Sequence, residues 1–194
     1  PDTVFPGVAA KIQGRLAANQ SGASDIQSGC TGCVYALAMA SAGIAAGLWD
    51  NVLVVGAEVL SSLIDWQDRN TCVLFGDGAG AVVLSSNGAG ALARVLASDL
   101  RADGTKHDLI CFPGGLVQNP ASQKTLEENL HKVQMKGNEV FKFVNQALPG
   151  FLRESCERAG INASDIDWWI FHQANLRIID SVLRRLGIEP ARAI

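Results

Sequence analysis

No charged side chain lies between Asp25 and Asp50, and the run is rich in Ala, Gly and Ser rather than Leu, Ile or Phe. Such a stretch has no solvated face to offer, so it must be covered. Small side chains on every side suit a helix packed closely by neighbours in a protein core. The run is long enough to reach across a bilayer, but Gln27 and Thr31 fall inside it and large apolar residues are few. A membrane span is therefore not expected. Directly after it, Asn51-Val52-Leu53-Val54-Val55-Gly56-Ala57 is continuously apolar, which is how a strand covered on both faces reads.

The rest of the chain continues the alternation of strand and helix. A helix is expected over about residues 6–18, a short strand over 24–27, and the small-residue helix from Cys30 to about Leu48. Residues 71–75 and 81–85 read as strands joined by a tight turn at Gly76-Asp77-Gly78-Ala79-Gly80. Asn87-Gly88-Ala89-Gly90 punctuates the chain and marks the boundary between two halves, 1–88 and 89–194. The second half opens with a strand over 92–98, followed by an irregular Gly-, Pro-, Asp- and Asn-rich stretch over about 101–123. Loops of that length are usually functional or mobile. Asn138 is placed to cap a helix over 139–148, Pro149 to break or kink it before 152–159, and Asp167-Trp168-Trp169-Ile170-Phe171 to form a buried strand. Positions 176, 178, 179, 182, 183 and 186 are apolar at helical spacing, with Gly187 placed to end that helix. Strand then helix, repeated, is an α/β layered architecture.

Composition narrows the function classes. Hydrophobic residues are 48% of the chain and net charge is −3, with no basic block, which argues against nucleic acid as a partner. The five cysteines are an odd number and no charged-then-apolar leader opens the sequence. A reduced, cytoplasmic setting is the expectation.

Three motifs carry chemistry. Cys30, in Asp25-Ile26-Gln27-Ser28-Gly29-Cys30-Thr31-Gly32-Cys33, stands at the mouth of the small-residue helix. A helix start favours the thiolate, the nucleophilic form of cysteine. A buried cysteine acting as a small hydrophobe fits the same motif equally well. With Cys33 it also forms a C-x-x-C ahead of a helix, the layout of thiol redox sites; zinc would need a second ligand pair, which the spacing of the other cysteines does not provide. The glycines at 76, 78 and 80 superficially fit a dinucleotide fingerprint, but they run into Val82-Val83-Leu84, a strand where that fingerprint needs a helix. His172 falls at the C-terminal end of an expected strand, where open α/β sheets place ligand sites, although a lone histidine is more often structural.

Taken together, these segments resemble the β-ketoacyl-acyl-carrier-protein synthase III family of thiolase-fold condensing enzymes. The resemblance is carried by 25–36 around the cysteine, Val54-Val55-Gly56-Ala57-Glu58, Asp68-Arg69, Phe75-Gly76-Asp77-Gly78-Ala79-Gly80-Ala81, Gly137-Asn138-Glu139-Val140-Phe141-Lys142 and His172-Gln173-Ala174-Asn175-Leu176-Arg177. They stand in the family's order and cover nearly the whole chain. The resemblance implies a thiolase-like fold, layered α-β-α-β-α and built from two related halves, with the nucleophile in 1–88 and a catalytic histidine in 89–194. It implies that Cys30 takes an acyl group from coenzyme A. His172 would be one of two donors that stabilise the enolate left when malonyl-acyl-carrier protein loses carbon dioxide. The product would be a 3-ketoacyl-carrier protein that initiates fatty acid synthesis. By the same resemblance Arg69 would meet the coenzyme A nucleotide, and Asn138 and Phe141 would line the pantetheine channel. Lys142, Gln173, Ala174, Asn175, Leu176 and Arg177 would face the acyl carrier protein. No metal or other cofactor is implied, since acyl-coenzyme A and malonyl-carrier protein are substrates. Phe5 matches an aromatic lent to a partner subunit, which implies a homodimer.

Two departures from the family pattern stand out. The family's catalytic Asn lies in a Gly-Asn-Thr motif beyond the equivalent of Ile194, and its second oxyanion-hole loop and N-terminal portion have no counterpart either. The resemblance therefore implies an incomplete fold, truncated at both ends and unable to condense by itself. Cys33 occupies a position where the family commonly has an aromatic residue, which could alter the acyl pocket or let Cys33 bond with Cys30 under oxidation. A thiolase-fold acyltransferase of secondary metabolism, a thiol redox protein using Cys30 and Cys33, and a non-catalytic binding fragment are the competing readings.

Overall fold

The computed structural model describes residues 3–194, and the uncharged run does not become one helix. It divides into an extended approach over 22–28, a single 3-10 turn Gly29–Thr31, and an α-helix, α2, over Gly32–Ala45. Among the described residues no helix is long and apolar enough to cross a membrane. The small residues of α2 serve close packing: Ala38, Ala40 and Gly43 are its buried positions. A Cβ on Gly43 would run into the Trp49 ring, so glycine is what lets the indole fold back against the helix.

The helix before it, α1 (Val8–Arg15), has no cap from its own N-terminal neighbours. Its first turn is satisfied from a distance, by the Asp25 carboxylate, which accepts from the Val8 and Ala9 N–H groups at 2.7 Å each. Two unpaired donors and the positive end of the helix dipole are met by one anion.

β1 (Asn51–Val59) pairs antiparallel with β2 (Asp77–Ser85), in a register that sets Gly56 opposite Gly80 and Glu58 opposite Gly78. The glycines at 78 and 80 are therefore strand residues rather than the tight turn expected between two strands. Residues 71–75, expected as a strand, are turns instead. Asp68 explains this: its backbone carbonyl accepts from the Thr71 and Cys72 N–H groups, and its carboxylate from the Asn70 N–H and the Thr71 hydroxyl. A helical turn capped this way withdraws the segment from any ladder. The apolar run of β1 is also not covered on both faces. Val52, Val54 and Gly56 face α2 and are at least partly buried, while Leu53 and Val55 are exposed.

These elements belong to one compact unit, comprising the residues up to Val59 together with Asp77–Val95; Leu60–Gly76 and Leu96–Ile194 form the second. In the second unit the short strands β3 (Ile110–Cys111) and β4 (Gln134–Met135) pair antiparallel. Between them lies α3 (Gln123–Glu127), begun by a reciprocal Ser122–Thr125 capping box. Residues 24–27 and 92–98, expected as strands, find no ladder partner among the described residues and are irregular.

The sequence predicts a break or a kink at Pro149; α4 is not broken there and runs continuously over Gly137–Ala159 with Pro149 inside it. Its N-cap is Lys136, not Asn138. Proline at 149 has no N–H to give to the Asn145 carbonyl four residues back. Arg185 supplies the missing donor, its Nη1 reaching that carbonyl at 2.8 Å. Arg185 sits on α5 (Leu176–Leu186), and its own carbonyl accepts from Arg153 Nη2 at 2.8 Å, so the two helices are stitched together at the point of weakness. Cys156, Trp169, Leu183 and Ile188 form the buried centre of this unit, with Leu152, Ile166, Phe171 and Ile179 packed around it.

Candidate active site

Cys30 owes its setting to two local features. Gly29 has φ of +55°, a conformation that costs side-chain-bearing residues energy, and it turns the extended approach into the 3-10 turn that holds Cys30. The turn is closed by Thr31, whose hydroxyl donates to the Ser28 carbonyl at 2.8 Å. Cys30 is exposed there, directly ahead of α2. No side chain caps α2 and no acidic residue stands in its first turn, so the N-terminal field of the helix is not cancelled locally. Cys33 is also exposed, and its sulfur lies against Gly56 of β1, 3.6 Å from where a Cβ would be. Cys33, Leu37, Val54, Gly56, Glu58 and the β2 backbone at Gly80 line an open groove of about 440 Å³.

In the second unit, Trp169 and Phe171 point the same way along an extended segment, their rings stacked with centroids 6.1 Å apart. Trp169 bridges in parallel to Ala193, its N–H donating to the Arg192 carbonyl and its carbonyl accepting from the Ile194 N–H. Only this alternate face is covered; Trp168 and Ile170 are exposed, so the segment is not the strand buried on both faces that its composition suggests. His172 follows immediately, exposed, in the turn between this segment and α5. Its carbonyl accepts from the Ala174 N–H at 2.9 Å. Asn175 closes the turn by capping α5, its Oδ1 accepting from the Arg177 N–H at 2.8 Å. The side chain of Asn175 is thereby committed to the helix start. Gln173 and Leu176 line an open groove of about 350 Å³ with Ile179, Asp180, Leu183 and Ile194.

The remaining candidates fall in the same unit. Asn138, Phe141 and Lys142 are exposed and, at spacings of three and four residues on α4, share one helix face. Arg69 is exposed beside the Asp68 turn. The Asn70 N–H and then the Thr71 hydroxyl hold the Asp68 carboxyl below the usual carboxylate range, which keeps that turn anionic and set. Cys30 and Cys33 belong to the first unit and His172 to the second. Sequence reasoning missed the Asp25 cap of α1 and the Arg185 support of α4, because each joins residues far apart in the chain. Among the described residues no group of three or more His, Cys, Asp or Glu is arranged to hold a metal.

Comparison with known proteins adds a further line of evidence. Residues 24–104 match the 3-oxoacyl-[acyl-carrier-protein] synthase III family, and residues 156–194 match the C-terminal description of the same family. The two matches together take in more than half of the chain. The β-ketoacyl-[acyl-carrier-protein] synthase III of Caldanaerobacter subterraneus subsp. tengcongensis is 47% identical over 190 residues, 97% of this chain and 56% of that protein. Two crystal structures of synthase III superpose over the whole chain: that from Aquifex aeolicus with 37% identity and a TM-score of 0.84, and that from Thermus thermophilus with 40% and 0.81. The chain covers 57% and 58% of those two molecules, and spans between half and two thirds of the length of the curated relatives it matches. Its architecture is accordingly the α/β thiolase-like fold of these condensing enzymes. By sequence and by fold, the chain belongs to the 3-oxoacyl-[acyl-carrier-protein] synthase III family.

Proposed function

We propose that the protein carrying this chain condenses a short acyl-coenzyme A with malonyl-acyl-carrier protein, with loss of carbon dioxide, to give a 3-ketoacyl-carrier protein. The observation that carries this reading is the exposed Cys30 at the uncapped start of α2, in a chain of this family. The Cys30 thiolate attacks the acyl carbonyl, the coenzyme A thiolate leaves, and an acyl-cysteine remains. His172 then donates a hydrogen bond to the enolate oxygen formed as malonyl loses carbon dioxide. The carbanion attacks the acyl-cysteine carbonyl and the Cys30 thiolate is expelled. No metal or prosthetic group enters these steps. We assign Arg69, Asn138 and Phe141 to the coenzyme A and pantetheine side. Lys142, Gln173, Ala174, Asn175, Leu176 and Arg177 we assign to the carrier protein, whose acidity their two cations suit. The two-half organisation at 1–88 and 89–194, a homodimer through Phe5, and a cytoplasmic setting complete the proposal.

The test is acylation. Incubating the full-length protein with acetyl-coenzyme A is expected to add one acetyl group to Cys30, read by mass spectrometry, and Cys30→Ala to abolish it. His172→Ala is expected to keep the acetyl adduct yet lose about 10²–10³ in condensation rate, the usual cost of one oxyanion donor. An adduct that survives Cys30→Ala, or none with any short acyl donor, would overturn the reading.

A further inference from the structure

Cys33 has no part in the chemistry just described, yet it stands three residues after the proposed nucleophile and is also exposed. We infer that Cys30 and Cys33 are a modification site, closing to a disulfide when the protein meets hydrogen peroxide. The geometry is local. Thr31 (φ −95°, ψ 2°) and Gly32 (φ −52°, ψ −44°) carry right-handed turn and helical dihedrals between the two cysteines. In 3-10 and α geometry residues three apart lie on one side, and the rise and turn of those helices set their Cα atoms about 5–6 Å apart. A disulfide accepts Cα separations of about 4.4–6.8 Å, so the bridge asks for no break in the backbone. Cys33 has space to move, because Gly56 leaves the groove wall beside its sulfur without a side chain. Closing the bridge takes a rotation about the Cys33 Cα–Cβ bond, away from Gly56 and toward the helix start.

The chemistry balances with peroxide as the named oxidant. The Cys30 thiolate attacks one peroxide oxygen, the O–O bond breaks, hydroxide leaves, and Cys30 becomes a sulfenic acid. The Cys33 sulfur attacks the Cys30 sulfur, the S–O bond breaks, and the oxygen departs as water with the Cys33 proton. Two thiols give up two hydrogens and the peroxide is reduced to water. The consequence rests on the proposed function: a bridged Cys30 accepts no acyl group, and a dithiol reductant returns it. The cysteine that removes the nucleophile also shields it, because a bridged sulfur does not advance to the irreversible sulfinic and sulfonic acids.

The experiment exposes the reduced full-length protein to hydrogen peroxide and follows intact mass, alkylation of Cys30 and Cys33, and acetyl transfer from acetyl-coenzyme A. The expected result is a loss of two hydrogens, both thiols closed to alkylation, loss of acetyl uptake, and recovery of all three with dithiothreitol. In Cys33→Ser the mass loss is expected to vanish and Cys30 to gain two or three oxygens that dithiothreitol does not remove. The inference is overturned if wild-type Cys30 gains oxygens as fast as in Cys33→Ser, stays open to alkylation, or bridges to Cys72, Cys111 or Cys156. If the bridge forms but the reduced protein takes no acetyl group, the acyltransferase reading fails and the bridge stands. If the reduced protein takes acetyl and no bridge forms, the reverse holds.

Discussion

Arg185 is the residue whose role most exceeds what its position suggests. It is a largely exposed cation on α5, yet it donates to the backbone of a different helix, at the one carbonyl that Pro149 leaves without a partner. Asn145 is 95% buried (5% exposed), so removing the donor strands a carbonyl away from water, at a cost of about 1–3 kcal/mol. Arg185→Met, which keeps the stem and loses the guanidinium, is expected to lower unfolding stability by that amount in denaturant titration. The cost should shrink in a Pro149→Ala background, where the chain regains an N–H for Asn145. Equal costs in the two backgrounds would show that the Arg185 bond does not compensate the proline. Gly29 and Gly43 are the opposite case: each acts through what it lacks, one by reaching positive φ and the other by making room for Trp49.

At the scale of elements, the β3–β4 pair is only two residues long on each side, too short to hold by its ladder. Next to it the Lys136 N–H donates to the Leu109 carbonyl, and Lys136 Nζ pairs with Asp108 at 2.5 Å. The hydrogen bond to Lys136, and then its charge, hold the Asp108 carboxyl below the usual carboxylate range; the same contact raises Lys136. The two shifts agree in sign. Asp108 therefore contributes stability that is complete above its ordinary pKa of about 3.9 and is lost as pH falls through its lower folded value. Lys136 contributes stability that is complete below about 10.4 and is lost as pH rises through its higher folded value. Both side chains are half exposed, so the effect is small and salt-sensitive. In thermal melts, Lys136→Met is expected to weaken the acid dependence below about pH 4 at low salt and to differ little from wild type at high salt. An unchanged acid limb at low salt would remove the pair from the account. α4 makes the converse point: Pro149 predicts a break or a kink, and one continuous helix forms because a second element meets its weak point.

At the scale of the whole chain, the two compact units are not consecutive in sequence, since Leu60–Gly76 joins the second. Nothing in the local composition of that segment announces this. The proposed carrier surface draws on α4 and on the start of α5. Charge reversal by Lys142→Glu with Arg177→Glu is expected to raise KM for malonyl-carrier protein by about tenfold, in a salt-dependent way, and to change acetyl transfer from coenzyme A far less. Equal effects on the two substrates would move carrier docking elsewhere. Much of this organisation could be read from residues alone: the helical spacing of α5 and its Gly187 end, the small-residue helix that follows Cys30, the strand character of β1, and the ordered motifs that identify the family. These are properties of a few neighbouring side chains, and backbone sterics and periodicity act at that range. The strands expected at 24–27, 71–75 and 92–98 and the turn expected at 76–80 did not form, and of the break or kink expected at Pro149 the break did not form. Whether a segment is a strand depends on a ladder partner, and whether a helix survives a proline depends on a donor from elsewhere. The sequence by itself determined the residue types, the local periodicities and the family; only the tertiary structure decided which backbone groups found distant partners, because those bonds join residues tens of positions apart.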